Sequence, residues 1–180
     1  SNVRQILFAG GKWVGNYISP ELEVPEAHKA VLIQVGAYAR EHGHVAEEGI
    51  NCGVDYFVSE DEVIVTEINA RWTGGLFPAE FLRRLAITQP AVAFFDMVPV
   101  AQSKAVQTFQ REHLFPAAGD AFAYVPMGFT PFAMEIEGAE RYFVWQIVVG
   151  DFAAFVEAKR QRLPEDTFPT AELILQEALS

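Results

Sequence analysis

From Ile50 to Val58 the chain alternates: Ile50, Cys52, Val54, Tyr56 and Val58 fall on one side, Asn51, Gly53, Asp55 and Phe57 on the other. That is the period of a strand with unlike faces. A second run, Val63 to Arg71, puts Ile64, Thr66, Ile68 and Ala70 on one face. Its other face begins apolar with Val63 and Val65 and turns polar with Glu67, Asn69 and Arg71. The link around Glu60, Asp61 and Glu62 is short and acidic, so an antiparallel hairpin is the simplest connection. With the turn centred on Asp61, Asp55 lies opposite Glu67 and Gly53 opposite Asn69.

The hairpin sits in the middle of the stretch from Gly49 to Gly75, and the rest of the chain punctuates clearly around it. Gln5 to Ala9, the Gly10-Gly11 turn and Lys12 to Tyr17 read as an earlier hairpin, with Trp13 and Tyr17 on one face. Glu26 to His42 is an amphipathic helix with Val31, Val35, Tyr38 and Ala39 as its inward stripe, opened by Pro25 and closed by Arg40, His42 and Gly43. His28 lies too far along it from His42 and His44 for a metal cluster, and capping or solvated roles fit better. After Gly74-Gly75, Pro78 and Ala79 to Ile87 predict a helix with Phe81, Leu82 and Leu85 inward.

Gln89-Pro90 marks a boundary, dividing the chain into residues 1–88 and 89–180. Beyond it, Ala91 to Val100 is an apolar run readable as strand or buried helix. Ser103 to about His113 predicts a helix stopped by Pro116. Ala121 to Val125, Pro131 to Glu137 and Arg141 to Val149 predict strands. Asp151 caps a helix to Leu163, and Thr170 to Leu179 forms a last one. Phe129, Phe132, Trp145 and Phe155 are expected in the core; Glu135, Glu137 and Arg141 read as surface charge. The fold class expected is α+β, a mainly antiparallel sheet with packed helices.

Composition narrows the function classes. A formal charge of -11 argues against nucleic acid, which demands a basic footprint. The single cysteine, Cys52, excludes an intrachain disulfide and a cysteine zinc site, and is expected as buried packing. With no apolar run long enough to span a bilayer and no signal peptide, the expected setting is the cytoplasm. Ser1-Asn2 running directly into Val-Arg-Gln-Ile-Leu-Phe reads as a tag remnant at the cut end of a longer protein.

Two carboxylates directly across a ladder repel unless a positive charge lies between them. Asp55, Glu67 and Asn69 offer the oxygen set that Mg²⁺ prefers, and Arg71 offers a guanidinium fork for phosphate. A solvated strand face carrying the same residues is the plainer reading of the pattern alone.

Gly-Val-Asp-Tyr-Phe, a short gap, and Val-Thr-Glu-Ile-Asn-Ala-Arg-Trp-Thr-Gly-Gly resemble the carboxy-terminal metal-binding segment of ATP-grasp enzymes. The resemblance covers about residues 16 to 88. It implies Asp55, Glu67 and Asn69 as ligands of the magnesium ions that bridge the phosphates of ATP. It makes Arg71 the catalytic contact to the phosphoryl group, with Asn69 and Arg71 binding the nucleotide. Thr73, Gly74 and Gly75 become candidates for substrate binding, and residues 89–180 an appended αβ segment, faintly similar to the region after the core in peptide-forming ligases. The function implied is part of an ATP-dependent carboxylate–amine ligase acting through an acyl phosphate, with ATP and Mg²⁺ as cofactors and a small carboxylate and amine as substrates. The lid and the remaining amino-terminal subdomains are expected upstream in the same polypeptide, so the chain alone is expected to bind Mg·ATP weakly and to be inactive; a homodimer is a further expectation. The alternative from the residues is a non-catalytic αβ protein-interaction module with a solvated acidic hairpin.

Overall fold

A computed structural model of the chain describes residues 3–44, 51–60, 62–116 and 119–179. Gly49, Ile50 and Asp61, all used in reading the central hairpin, lie outside the described residues. The architecture is α+β with a mainly antiparallel sheet. Two compact units interleave in sequence, one holding Glu23–Phe81, the other Arg4–Leu22 together with the chain from Leu82 onward. The hairpin of β1 (Gln5–Ala9) and β2 (Lys12–Ile18), expected to belong with the first 88 residues, therefore joins the later strands.

In the first unit, α1 (Glu26–Glu41) follows Pro25 and turns Val31, Val35 and Ala39 inward. Tyr38, expected in that stripe, lies at its edge and is 54% exposed, its ring stacked on His42 at 4.0 Å. His42 Nδ1 donates to the Tyr38 carbonyl at 2.8 Å, and Gly43 takes φ +91°, a left-handed exit that glycine adopts without strain.

The second element pair is β3 (Gly53–Ser59) with β4 (Glu62–Asn69), a two-stranded antiparallel sheet. Near the turn Ser59 pairs with Glu62 and Tyr56 with Val65; beyond it Asp55 pairs with Glu67 and Gly53 with Asn69. Thr66 is the extra residue, a β-bulge that shifts the phase of everything after it. Val63, Val65 and Ile68 thus lie on the face of Val58, Tyr56 and Val54, whereas Ile64, Glu67 and Asn69 lie on that of Phe57, Asp55 and Gly53. This corrects the simple alternation, which groups Val63 and Val65 with Glu67. Cys52 precedes β3 and is only half-buried rather than packed inside.

α2 (Leu76–Arg84) starts earlier than expected because the Leu76 N–H donates to the Thr73 carbonyl at 3.0 Å. Pro78 falls at a position whose missing N–H costs nothing. Of its expected inward residues only Leu82 is buried; Phe81 and Leu85 are exposed.

The second unit is a six-stranded antiparallel sheet in the order β1-β2-β5-β8-β6, built on β5 (Ala91–Pro99), β6 (Phe122–Phe129), β7 (Met134–Ile136) and β8 (Ala139–Gly150), with β7 also on β8. The apolar run at Ala91 is therefore a strand. Its even positions, Val92, Phe94 and Val98, join Leu7, Tyr124, Val144 and Val148 on a face shared with Val106, Phe109, Phe155, Val156 and Ile174 of the helical segments. Those segments are α3 (Ser103–Glu112), α4 (Phe152–Arg162) and α5 (Pro169–Leu173), the last extended by a π-helical turn, Ile174–Ala178. Asp151 caps α4 as expected, its Oδ1 accepting the Ala154 N–H at 3.0 Å.

Ala91, Ala93, Val125, Ile147 and Val149 form a second cluster on the opposite face with Leu82 and Ile87. Further along, Phe95 meets Trp13 at 5.3 Å and stacks on Phe143 and Trp145 at 5.1 and 5.3 Å. A bulge at Val14 sends Trp13 to this face and leaves Tyr17, beside Val92, on the other, so the two do not share a face as expected. Phe155 and Trp145 pack, but Phe129 and Phe132, at the end of β6 and in the loop after it, are exposed.

A carboxylate in the central strand joins the carboxy-terminal helix to the sheet. Asp96 is 1% exposed; its Oδ1 accepts from Met97 and Thr170 N–H at 2.8 and 3.1 Å, and its Oδ2 from Ala171 N–H at 3.0 Å. Burial pushes its carboxyl up to about 7, against the pull of those N–H groups. Nearby, buried Lys159 donates to Glu172 Oε1 at 2.8 Å and Arg160 Nη2 to Glu172 Oε2 at 2.6 Å, binding α4 to α5. Partial burial raises the Glu172 carboxyl, but the bonds from Arg160 and Lys159 outweigh it and hold it below the usual range.

Two outcomes are expected. Because the folded state keeps the Asp96 proton to about pH 7 and the unfolded chain loses it near 3.8, this group's contribution is complete below pH ~4 and is lost as pH rises to 7. The slope is at most about 1.4 kcal/mol per pH unit. Urea unfolding between pH 4 and 8 should show that slope in the parent and its loss in Asp96→Asn. Glu172→Ala strands the buried Lys159 charge, and denaturant unfolding should register a loss of about 3 kcal/mol.

Candidate functional site

The hairpin β3–β4 carries the predicted residues, and the bulge decides where they point. Asp55 and Glu67 are direct cross-strand partners, and Gly53 and Asn69 are the next pair on the same face. Directly opposed side chains have Cβ atoms roughly 4.5–5.5 Å apart, close enough for one small cation to meet both carboxylates. Asn69 is buried, Asp55 half-buried and Glu67 exposed.

Thr73 belongs to the same place for a steric reason. A Cβ built on Gly53, which would point to the Asp55 side, comes within 2.9 Å of Thr73 Cγ2 and 3.7 Å of Asn69 Cβ. Glycine at 53 thus makes the space that Thr73 fills, and the threonine lies over the Gly53–Asn69 end of the row. The structure brings together Asp55, Glu67, Asn69 and Thr73 in this way.

The remaining candidates stand apart from that row. β4 ends at Asn69, so strand alternation does not extend to Arg71; the Arg71 side chain is exposed and its Nη1 donates to the Trp72 carbonyl at 3.4 Å. Gly74 and Gly75 form the turn into α2. Trp72 and Phe77, flanking that turn, are both partly exposed, their ring centroids 5.3 Å apart. His28 of α1 contacts the Tyr56 hydroxyl from Nδ1 at 3.3 Å, on the face opposite the carboxylates.

Among the described residues no group of three or more His, Cys, Asp and Glu side chains gathers; the Asp55–Glu67 pair with an amide lies below that count. Nor is any described helix long and apolar enough to cross a membrane.

Sequence reading missed a polar row inside the second unit. Gln110 Nε2 donates to the Tyr124 hydroxyl at 2.6 Å, and that hydroxyl donates to Gln146 Oε1. Burial, above all, raises the Tyr124 hydroxyl beyond its ordinary value. The available signal was Asp96 as the one charge within Ala91 to Val100 and Gln146 as the one amide within Arg141 to Val149. All four side chains are buried, and their arrangement joins elements rather than opening to a substrate.

No protein-family model, no curated protein and no solved structure matches the chain.

The Gly53–Thr73 fit yields a double-mutant cycle. Gly53→Ala is expected to destabilise by about 1 kcal/mol through overpacking, and Thr73→Ser, which lacks Cγ2, to recover most of that loss in the double variant. Denaturant unfolding of the four proteins measures the coupling, and additive effects would contradict the contact.

Proposed function

We propose that this chain is the metal- and phosphate-binding part of an ATP-dependent carboxylate–amine ligase, working in the cytoplasm and completed by further subdomains upstream. The supporting observation is the opposition of Asp55 and Glu67 on one hairpin face with Asn69 beside them. Two carboxylates and an amide oxygen form an all-oxygen donor set, which suits a hard divalent cation better than zinc or copper. A cation there also offsets the repulsion between the two opposed carboxylates.

Bound Mg²⁺ supplies charge neutralisation at the ATP phosphates. The chain's own part is to hold and orient: Asp55 and Glu67 fix the cation, Asn69 adds a neutral oxygen, and Arg71 swings from the Trp72 carbonyl to the transferred phosphoryl group. Thr73, with the Gly74-Gly75 turn, lies beside the substrate carboxylate. That carboxylate oxygen attacks the γ-phosphorus, the bond from phosphorus to the bridging oxygen breaks, and ADP leaves. A neutral amine would then attack the acyl carbon, the bond from that carbon to the phosphate oxygen would break, and inorganic phosphate would leave with the proton the amine gives up. Positioning and electrostatics carry most of such a reaction. Partly exposed Phe57, Val58 and Ile64 near the hairpin turn support a surface that the longer protein covers.

Calorimetric titration of Mg·ATP should give heat with the parent chain and none with a Glu67→Gln, Asn69→Ala double variant of unchanged unfolding midpoint. Mg²⁺ alone should raise the parent's melting temperature. Nucleotide binding that survives the double substitution would overturn the metal assignment. A melting temperature indifferent to Mg²⁺ would favour the interaction module.

A further inference from the structure

The geometry points to Thr66 as a positioning residue: its hydroxyl holds β4 in the bulged register that, counted from the Ser59–Glu62 pair, sets Glu67 opposite Asp55. This inference rests on the metal reading of the hairpin. From the turn, Ser59 pairs with Glu62, Val58 with Val63, Phe57 with Ile64 and Tyr56 with Val65. Continued without interruption, that register would pair Asp55 with Thr66 and Val54 with Glu67. A one-residue shift exchanges the faces of a strand, so Glu67 would move to the side of Tyr56 and Val65, away from Asp55.

The bulge absorbs one residue at Thr66, and the pairing resumes as Asp55 with Glu67 and Gly53 with Asn69. Where the ladder is interrupted, the Thr66 hydroxyl donates to the Asp55 carbonyl at 3.0 Å. This bond joins the extra residue to the backbone of the very residue whose carboxylate must be opposed. Thr66 is exposed, so its replacement leaves packing in place. Valine has the same shape and a strong strand preference but no hydroxyl to donate, whereas serine keeps the hydroxyl.

Removing Thr66 altogether provides the sharper test. With that residue gone, the unbroken register from the turn pairs Asp55 with Glu67 and Gly53 with Asn69 and needs no bulge. If register is what matters, the deletion binds metal without the hydroxyl.

The experiment is a titration of the ¹⁵N-labelled chain with Mn²⁺ alone, read as paramagnetic broadening of the Asp55, Glu67 and Asn69 amide signals. Cross-strand nuclear Overhauser contacts between Asp55 and Glu67 report the register independently. The parent, Thr66→Ser and the deletion are expected to bind alike. Thr66→Val is expected to lose about threefold to tenfold in affinity, the weight of one hydrogen bond, with weakened Asp55–Glu67 contacts. Equal binding by Thr66→Val, or loss of binding in a folded deletion variant that retains the Asp55–Glu67 contacts, overturns the positioning role while the metal reading stands. A parent without broadening localised to the hairpin overturns both, and its Overhauser contacts still show whether the bulge forms.

Discussion

A β-strand offers two faces, and one extra residue exchanges them for everything beyond it. Among the described residues, three strands use that device. Val14 in β2, Thr66 in β4 and Met127 in β6 each lack a partner across the ladder. Without the first, Trp13 would join Tyr17 on the helix-covered face instead of reaching Phe95. The third follows Pro126, which has no N–H to give a ladder, and precedes Gly128, the residue types that sheets tolerate at an interruption. The second sorts the hairpin: Tyr56, Val63, Val65 and Ile68 share one face, and Asp55, Glu67 and Asn69 gather on the other, which Phe57 and Ile64 join nearer the turn.

The second unit meets the complementary difficulty, polar groups inside a core. A buried carboxylate is tolerated only where its charge or its proton is accounted for, and Asp96 receives two backbone N–H bonds from the start of α5 and a third from Met97 of its own strand. Lys159, equally buried, is answered by Glu172 of the same helix. The short carboxy-terminal helix is thus attached at one end through a strand carboxylate and along its side through α4. Phe168, fully buried, takes a left-handed φ of +55° just ahead of it. An isolated helix of this length has almost no stability of its own, so these tertiary bonds and the apolar contacts of Ala171 and Ile174 must supply it.

Period and punctuation made most of the elements legible. Lys12 to Tyr17, Glu26 to His42 and the cap at Asp151 anticipate β2, α1 and α4 closely, because strand alternation, helix periodicity and capping chemistry are local. What escaped the sequence is what depends on distant partners. Nothing near Gly53 announces that Thr73 will fill the space left by its missing side chain, and nothing near Asp96 announces α5, more than seventy residues later. The pairing of β2 with β5 across the whole first unit is of the same kind.

The hairpin joins both lessons. The expected turn centred on Asp61 and the observed Ser59–Glu62 pairing lead to registers one residue apart, yet Asp55 meets Glu67 in either account, because the difference is restored at Thr66. The expected opposition is present by a different route. The facial reading suffered from the same difference: the simple count joined Val63 and Val65 to the acidic row, whereas the bulge separates them. That separation is what physical chemistry favours. Tyr56, Val63 and Val65 can be covered without desolvating Asp55 and Glu67, which share their face with Asn69 and, nearer the turn, with Phe57 and Ile64. The extra residue at 66 thus keeps the two carboxylates opposed and the paired valines apart from them on a strand of only eight residues.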